Sequence, residues 1–159
     1  MDITINIKKL DVYDEVAKLT GYIGSKAAKD SGLTYDNVFT TEDDVDMLEQ
    51  FWRDCKHDIV NVCKRFISIV TEPPSTQAVD AEEIFSLTMT MPSLFDISTG
   101  GAVQNNMRAY CINSISARWL AISNAAAAQT YVTISQDDMR KITELIYYTK
   151  RPKRTPIIT

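Results

Sequence analysis

Hydrophobic and polar side chains alternate in two parts of the chain. The first run lies at the N-terminus and has its apolar residues at Ile3, Ile5 and Ile7. Period-two alternation is typical of a strand, so a short N-terminal strand or extended arm is expected there. The second run, over 84–91, predicts a strand that Pro92 ends. Apolar residues at 94, 95 and 97 then predict a returning strand, which would make a β-hairpin at about 84–97.

Elsewhere the apolar residues recur every three or four positions, which predicts amphipathic helices. Four helices are expected, over 11–29, 42–70, 102–123 and 125–150, with Asn124 capping the fourth. The fold class is therefore mainly α. We expect a four-helix bundle-like domain over 1–150 with the hairpin between the second and third helices, followed by an extended basic C-terminal tail over 151–159.

The composition agrees with one globular domain, because 45% of the 159 residues are hydrophobic and 24% are charged. The net charge of −4 is unevenly distributed. Residues 1–83 carry 17 acidic and 9 basic side chains, a net of −8, and residues 84–159 carry 4 and 8, a net of +4. This polarity suits head-to-tail contact between copies of the chain, although uneven surface charge alone explains it equally well.

The sequence predicts a protein made and folded in the cytoplasm. No apolar run approaches the roughly 20 residues that cross a bilayer, and the first ten residues lack the features of a signal peptide. The three cysteines, Cys55, Cys63 and Cys111, are an odd number in such a chain. We expect them to be buried free thiols.

No pattern of residues predicts catalysis, a cofactor or a metal centre, so the chain is not expected to be an enzyme. His57 is the single histidine, and its spacing from Cys55 matches no zinc motif. No glycine-rich phosphate loop is present. The acidic cluster at the predicted start of the second helix could bind a divalent cation, but a solvated helix start explains it better. Its members are Asp43, Asp44, Asp46 and Glu49.

The basic residues near the C-terminus have two interpretations. They are Lys150, Arg151, Lys153 and Arg154. They could contact phosphates, which would suit a small helical regulator that binds nucleic acid. They could equally dock on an acidic protein surface.

Four stretches of the chain, together with the predicted order of elements, resemble a known class of proteins. The stretches are VYDEVAKLTGYIGSK, YDNVFTTEDDVDMLEQFW, ARWLAISN and YYTKRPKRTP. They resemble the head-to-tail connector, or adaptor, proteins of tailed bacteriophages, notably those from phages and prophages of gut Bacteroidetes. The resemblance implies a structural virion protein that forms a ring of about twelve copies below the portal and continues the DNA channel. Another neck, tail-completion or capsid-associated protein is the nearest alternative.

The resemblance also implies partners and contact residues. The partners would be other copies of the chain, the portal protein and a tail or second neck protein, with double-stranded DNA passing through and no membrane. The location would be the neck of a virion assembled in the bacterial cytoplasm. The basic tail would dock on the portal or the next ring, and the acidic cluster would face the channel. The residues that would contact a neighbouring subunit are Phe85, Leu87, Met89 and Met91.

Overall fold

The computed structural model describes residues 1–30, 40, 44–71 and 83–148. This part of the chain is mainly helical with a small sheet, which confirms the predicted fold class. A 3₁₀ helix, Ile97–Thr99, precedes the third α-helix. In chain order the elements are β1 (Asp2–Lys8), α1 (Lys9–Asp30), α2 (Val45–Cys63), β2 (Ile67–Thr71), β3 (Ile84–Thr90), α3 (Gly100–Ser123) and α4 (Ala125–Tyr147).

The three strands form one antiparallel sheet in the order β1-β3-β2. Ile3 lies opposite Met89 and Ile7 lies opposite Phe85, so the two alternating runs of the sequence pair with each other. The pairing of β2 with β3 shifts by one residue between Ile67 and Ile69, which is the pattern of a β-bulge.

The prediction for the second helix is wrong at its C-terminal end. α2 ends at Cys63, and residues 64–66 form a turn in which the Phe66 N–H bonds to the Cys63 carbonyl at 2.8 Å. The segment ISIVT then forms β2. Its β-branched residues favour a strand, and β3 offers a free row of backbone groups with which it pairs. The helical spacing of apolar residues continues by coincidence as far as Ile69, which is exposed.

The predicted returning strand at 94–97 is also wrong. Ile97–Thr99 is a 3₁₀ helix, and Asp96 caps it by accepting a hydrogen bond from the Ser98 N–H at 3.1 Å. An antiparallel strand pair lies between α2 and α3. Its arms, however, are β2 and β3 rather than two segments within 84–97.

The core lies between the helices and one face of the sheet. α3 packs against α1, α2, α4 and β1, so it is buried on several sides. Trp52 of α2 reaches the sheet and meets Phe85 edge to face, with ring centroids 6.5 Å apart. Asn124 caps α4 as predicted, since its side chain accepts a hydrogen bond from the Ala127 N–H. α4 ends at Tyr147, before the predicted limit of 150.

Leu87 lies on the core face of the central strand, and this position predicts its contribution to folding. We expect Leu87→Ala to lower the free energy of unfolding by about 2–5 kcal/mol, because it leaves a cavity in a fully buried site. Ser86→Ala, on the outer face of the same strand, should cost less than about 1 kcal/mol. Urea denaturation measures both. A Leu87→Ala chain with wild-type stability but weaker self-association would contradict this placement.

Candidate functional site

The four residues predicted to contact a neighbouring subunit do not lie on the surface. Each is at most 2% exposed, within the chain's own core. The reason is that β3 is the central strand, so its apolar face is covered by the helices. The contact prediction for this set is therefore wrong. The set comprises Phe85, Leu87, Met89 and Met91.

The outer face of the sheet carries a row of hydrogen-bonded polar side chains. Thr90 donates to Asp2 at 2.7 Å, and Ser86 donates to Asn6 at 2.6 Å. Between these pairs, the hydroxyls of Thr4 and Thr88 lie 3.2 Å apart. Cross-strand pairs of this kind stabilise a sheet, so this face is satisfied within the chain.

The outer edge of β1 is open among the residues that the structure describes. The Lys9 N–H bonds to the Glu83 carbonyl at 3.0 Å, and the Met91 N–H bonds to the Met1 carbonyl at 2.7 Å. These two bonds set the alternation of the antiparallel ladder, so odd-numbered residues of β1 point their backbone groups toward β3. The even-numbered residues point theirs outward. They are Asp2, Thr4, Asn6 and Lys8.

The outer edge of β2 is likewise unpaired within the described part of the chain. The Thr90 N–H bonds to the Phe66 carbonyl at 2.7 Å, so the even-numbered residues of β3 face β2. Ile69 lies opposite Thr88 and residue 71 lies opposite Ser86. The backbone groups of Val70 therefore point away from the sheet, and Ser68 is the extra residue of the bulge.

Apolar side chains surround this second edge. Ile69 is 61% exposed on the outer face, and Tyr147 and Tyr148 at the end of α4 are 48% and 55% exposed. The Tyr147 ring packs against Phe66, with centroids 5.2 Å apart. We call Phe66, Ile69, Tyr147 and Tyr148 the β2 rim. The backbone at Tyr148 is extended, so the chain leaves α4 beside the rim.

The predicted acidic cluster divides into different environments. Asp43 lies outside the described residues, while Asp46 is exposed in the first turn of α2. Asp44 is the residue before the helix and is partly buried. Glu49 instead turns inward and forms an ion pair with Lys9 at 2.7 Å, so it does not belong to an exposed acidic surface. The predicted docking residues of the tail, Lys150, Arg151, Lys153 and Arg154, all lie outside the described residues.

A cluster of paired charges lies beneath the sheet where β1 leads into α1. Lys9 is 1% exposed, and its ammonium lies 2.7 Å from Glu49 and 3.3 Å from Glu83. Glu83 also accepts hydrogen bonds from Lys56 at 2.6 Å and from the Trp52 indole at 3.1 Å. Two cations thus face two anions, which is the arrangement that makes charge burial tolerable.

The electrostatics of this cluster favour the ionised carboxylate. Burial alone would raise the pKa of Glu83, but its hydrogen bonds with Lys56 and Trp52, together with the nearby charges, lower that pKa below its ordinary value. Burial and the adjacent Glu49 carboxylate raise the pKa of Tyr13, which donates a 3.0 Å hydrogen bond to Glu49. The four charges are paired with one another within the chain, which favours a structural role for the cluster.

Sequence reasoning missed Lys9 and Glu83, although a signal was present. Lys9 continues the odd-numbered, buried phase of β1, and Glu83 continues the buried phase of β3. Extending the register in which Ile7 faces Phe85 places Lys9 opposite Glu83. Two residues of opposite charge, each continuing the buried phase of one alternating run, could therefore have indicated this ion pair.

The remaining reactive side chains have structural environments. Arg118 of α3 pairs with Asp54 and lies 3.7 Å from Asp58, and the Tyr110 hydroxyl donates to Asp58 at 2.8 Å. Asp54 and Asp58, which flank His57 in the sequence, are thus engaged with other side chains, and His57 is exposed. The three cysteines are buried free thiols, which confirms that prediction. Burial raises the pKa of Cys63 to about 12, so its thiol is unreactive at neutral pH.

Within the described ranges, no three His, Cys, Asp or Glu side chains gather closely enough to hold a metal ion. None of the described helices is long and apolar enough to cross a membrane. Comparison with known proteins gave no matching family model, no similar curated protein and no similar solved structure.

The charged cluster predicts a large cost for removing its central cation. We expect Lys9→Met to lower the free energy of unfolding by about 3–5 kcal/mol, because Glu49 and Glu83 lose a buried partner. Lys18→Met on the same helix breaks only the exposed pair with Glu15 and should cost less than about 1 kcal/mol. Equal losses for the two variants in urea denaturation would contradict a structural role for the cluster.

The lowered pKa of Glu83 predicts acid sensitivity. Because this pKa is lower in the folded than in the unfolded chain, the unfolded chain binds more protons as the pH falls. The contribution of Glu83 is complete above the unfolded pKa of about 4.3 and is lost as the pH falls through the folded pKa. Urea midpoints measured from about pH 6 to pH 3 should fall less steeply for Glu83→Gln than for the wild type. Parallel curves would contradict this assignment.

Proposed function

We propose that the chain is a structural subunit of the neck of a tailed phage, a head-to-tail connector that assembles into a ring below the portal. The observation that carries the proposal is the contrast between the paired charges of the core and the unpaired strand edges at the perimeter of the described sheet. The core charges and the outer sheet face find partners within the chain, whereas both sheet edges and the β2 rim lie open in the described part. Open strand edges and clustered apolar side chains are features that other proteins cover.

The order of elements supports the connector class. Two helices, an antiparallel strand pair and two further helices follow one another, with basic residues after the last helix. The resemblance rests on a similar order, in which the hairpin was predicted within 84–97. The portal and a tail or second neck protein would then contact the ends of the ring, with double-stranded DNA passing through it. The alternative in the same class is another neck, tail-completion or capsid-associated protein.

The two edge strands lie on opposite sides of the sheet, which suits a head-to-tail contact between copies. A contact between two different surfaces repeats around an axis and closes a ring when the rotation allows it. The β2 rim supplies apolar area for such a contact, and apolar contacts are little weakened by salt.

One observation favours a different class, a small regulator that binds nucleic acid. Four basic residues, Lys150, Arg151, Lys153 and Arg154, follow Tyr148 closely and could neutralise phosphates. The two proposals differ in their dependence on salt, since phosphate contacts weaken steeply as the salt concentration rises.

The full chain should assemble through protein contacts. Native mass spectrometry and negative-stain microscopy over rising protein concentration should detect oligomers that close at about a dozen copies and survive about 0.5 M salt. A chain that stays monomeric at every concentration would contradict the proposal. Salt-dependent DNA binding, lost when the four basic residues become alanine, would support the regulator instead.

A further inference from the structure

We propose that neighbouring copies join through their sheets: the outer edge of β1 in one copy adds, in parallel, to the outer edge of β2 in the next. The sheets of adjacent subunits would then form one continuous sheet around the ring. This inference rests on the proposed function and names the contact that the ring would use.

The topology of the sheet allows such a contact to repeat. β1 and β2 occupy opposite edges, and each is antiparallel to β3, so they run in the same direction. When one copy is rotated about the ring axis without being inverted, its β1 edge meets the β2 edge of its neighbour. The two strands then run parallel to each other. The two surfaces differ, so every copy offers one of each and no strand edge remains open in a closed ring.

The backbone groups match in phase. In a parallel pair, each inward-facing residue bonds to the two residues that flank its neighbour on the other strand. The outward groups of Val70 would bond to Asn6 and Lys8 of the next copy, with the Val70 N–H donating to the Asn6 carbonyl and the Lys8 N–H donating to the Val70 carbonyl. This alignment places Ile69 beside Asn6 on the outer face. It also places Val70 beside Ile7, so the core faces of the two sheets lie on the same side.

The charges favour the parallel direction. Lys64 and Arg65 are exposed just before β2, and Asp2 is exposed at the start of β1. In parallel addition, Lys64 and Arg65 lie at the same end of the strand pair as Asp2 of the next copy, which is attractive. Antiparallel addition would instead bring the two cations toward Lys8, and like charges across a strand pair are destabilising.

The exposed β2 rim decides between this contact and a two-fold one. Two β1 edges could also pair with each other in antiparallel fashion, with Asp2 opposite Lys8 of the other copy. That arrangement would leave β2 open and would cover neither Ile69 nor the two tyrosines of the rim. Addition of β1 to β2 covers the apolar edge, so the geometry points to this contact.

Cysteine cross-linking tests the alignment. Asn6→Cys and Ile69→Cys in one chain place a thiol at each edge, and Cα atoms of neighbouring strands lie about 4.8 Å apart, within reach of a disulfide. Mild oxidation should link copies into a ladder of covalent oligomers on a denaturing gel. The three natural cysteines are fully buried and do not compete. The matched control is Asn6→Cys with Ile122→Cys, because Ile122 is 65% exposed on α3, away from the sheet edges, and should give no ladder.

The outcomes separate the inference from the proposed function. Rings seen by native mass spectrometry, without a ladder from the Asn6→Cys and Ile69→Cys chain, would overturn this contact and leave the connector proposal standing. The absence of any oligomer would overturn both. Mixed Thr4→Cys and Asn6→Cys chains that yield a single covalent dimer would establish the two-fold pairing and overturn the inference.

A proline variant tests the backbone contact without a thiol. The Lys8 N–H points outward and would donate to the Val70 carbonyl of the neighbouring copy, so Lys8→Pro removes a donor that the contact uses and leaves the pairing of β1 with β3 intact. Lys8→Ala is the matched control, because it removes the same side chain and keeps the N–H. With both chains folded by circular dichroism, Lys8→Pro should require at least about ten-fold more protein to assemble, and Lys8→Ala should assemble like the wild type. Wild-type assembly of Lys8→Pro would overturn the inference.

Discussion

The pairing of Lys9 with Glu83 is the constraint on which the arrangement of sheet and helices depends. The two residues extend the β1–β3 ladder by one position, joined by a backbone hydrogen bond of 3.0 Å and a side-chain ion pair of 3.3 Å. Lys9 is also the first residue of α1, and Glu83 receives Lys56 and Trp52 from α2. One buried cluster therefore fixes the start of α1, the orientation of α2 and the register of the central strand. A buried charge without its partner is costly, so alternative registers are strongly disfavoured.

The same register separates the two faces of the sheet. Apolar side chains at odd positions enter the core, and polar side chains at even positions bond to one another in the row that joins Asp2, Thr4 and Asn6 to β3. The polar side chains of this row are thus paired within the chain, and the unpaired backbone groups of the described sheet lie at its two edges. Assembly through strand edges follows from this division, because it adds contacts where the subunit has unpaired backbone groups without disturbing the side chains that stabilise it.

The error in the predicted contact residues has a physical origin. The resemblance implied a hairpin at about 84–97 that contacts a neighbouring subunit, and a two-stranded hairpin alone would need such a partner because it is marginal in water. In the structure Phe85, Leu87, Met89 and Met91 already have partners, because β1 and β2 pair with β3 from distant parts of the sequence. Pairing between residues 3 and 89 depends on the path of the whole chain, and no local pattern specifies it. Glu49 was misplaced for a similar reason, since its ion pair with Lys9 spans two helices.

The sequence by itself determined the period-two phase of β1 and β3, the positions of α1, α3 and α4, the Asn124 cap and the burial of the three thiols, because spacing and capping are local properties. Only the tertiary structure decided that ISIVT becomes a strand instead of the last turn of α2, since its β-branched residues needed the open edge of β3 to pair with. Tertiary structure also decided which charged residues are paired inside the chain. Lys9 and Glu83 form their ion pair only because the pairing of β1 with β3 brings them together. Tertiary structure likewise decides which strand edges stay unpaired in the described sheet, because β1 and β2 each pair with β3 on one side only.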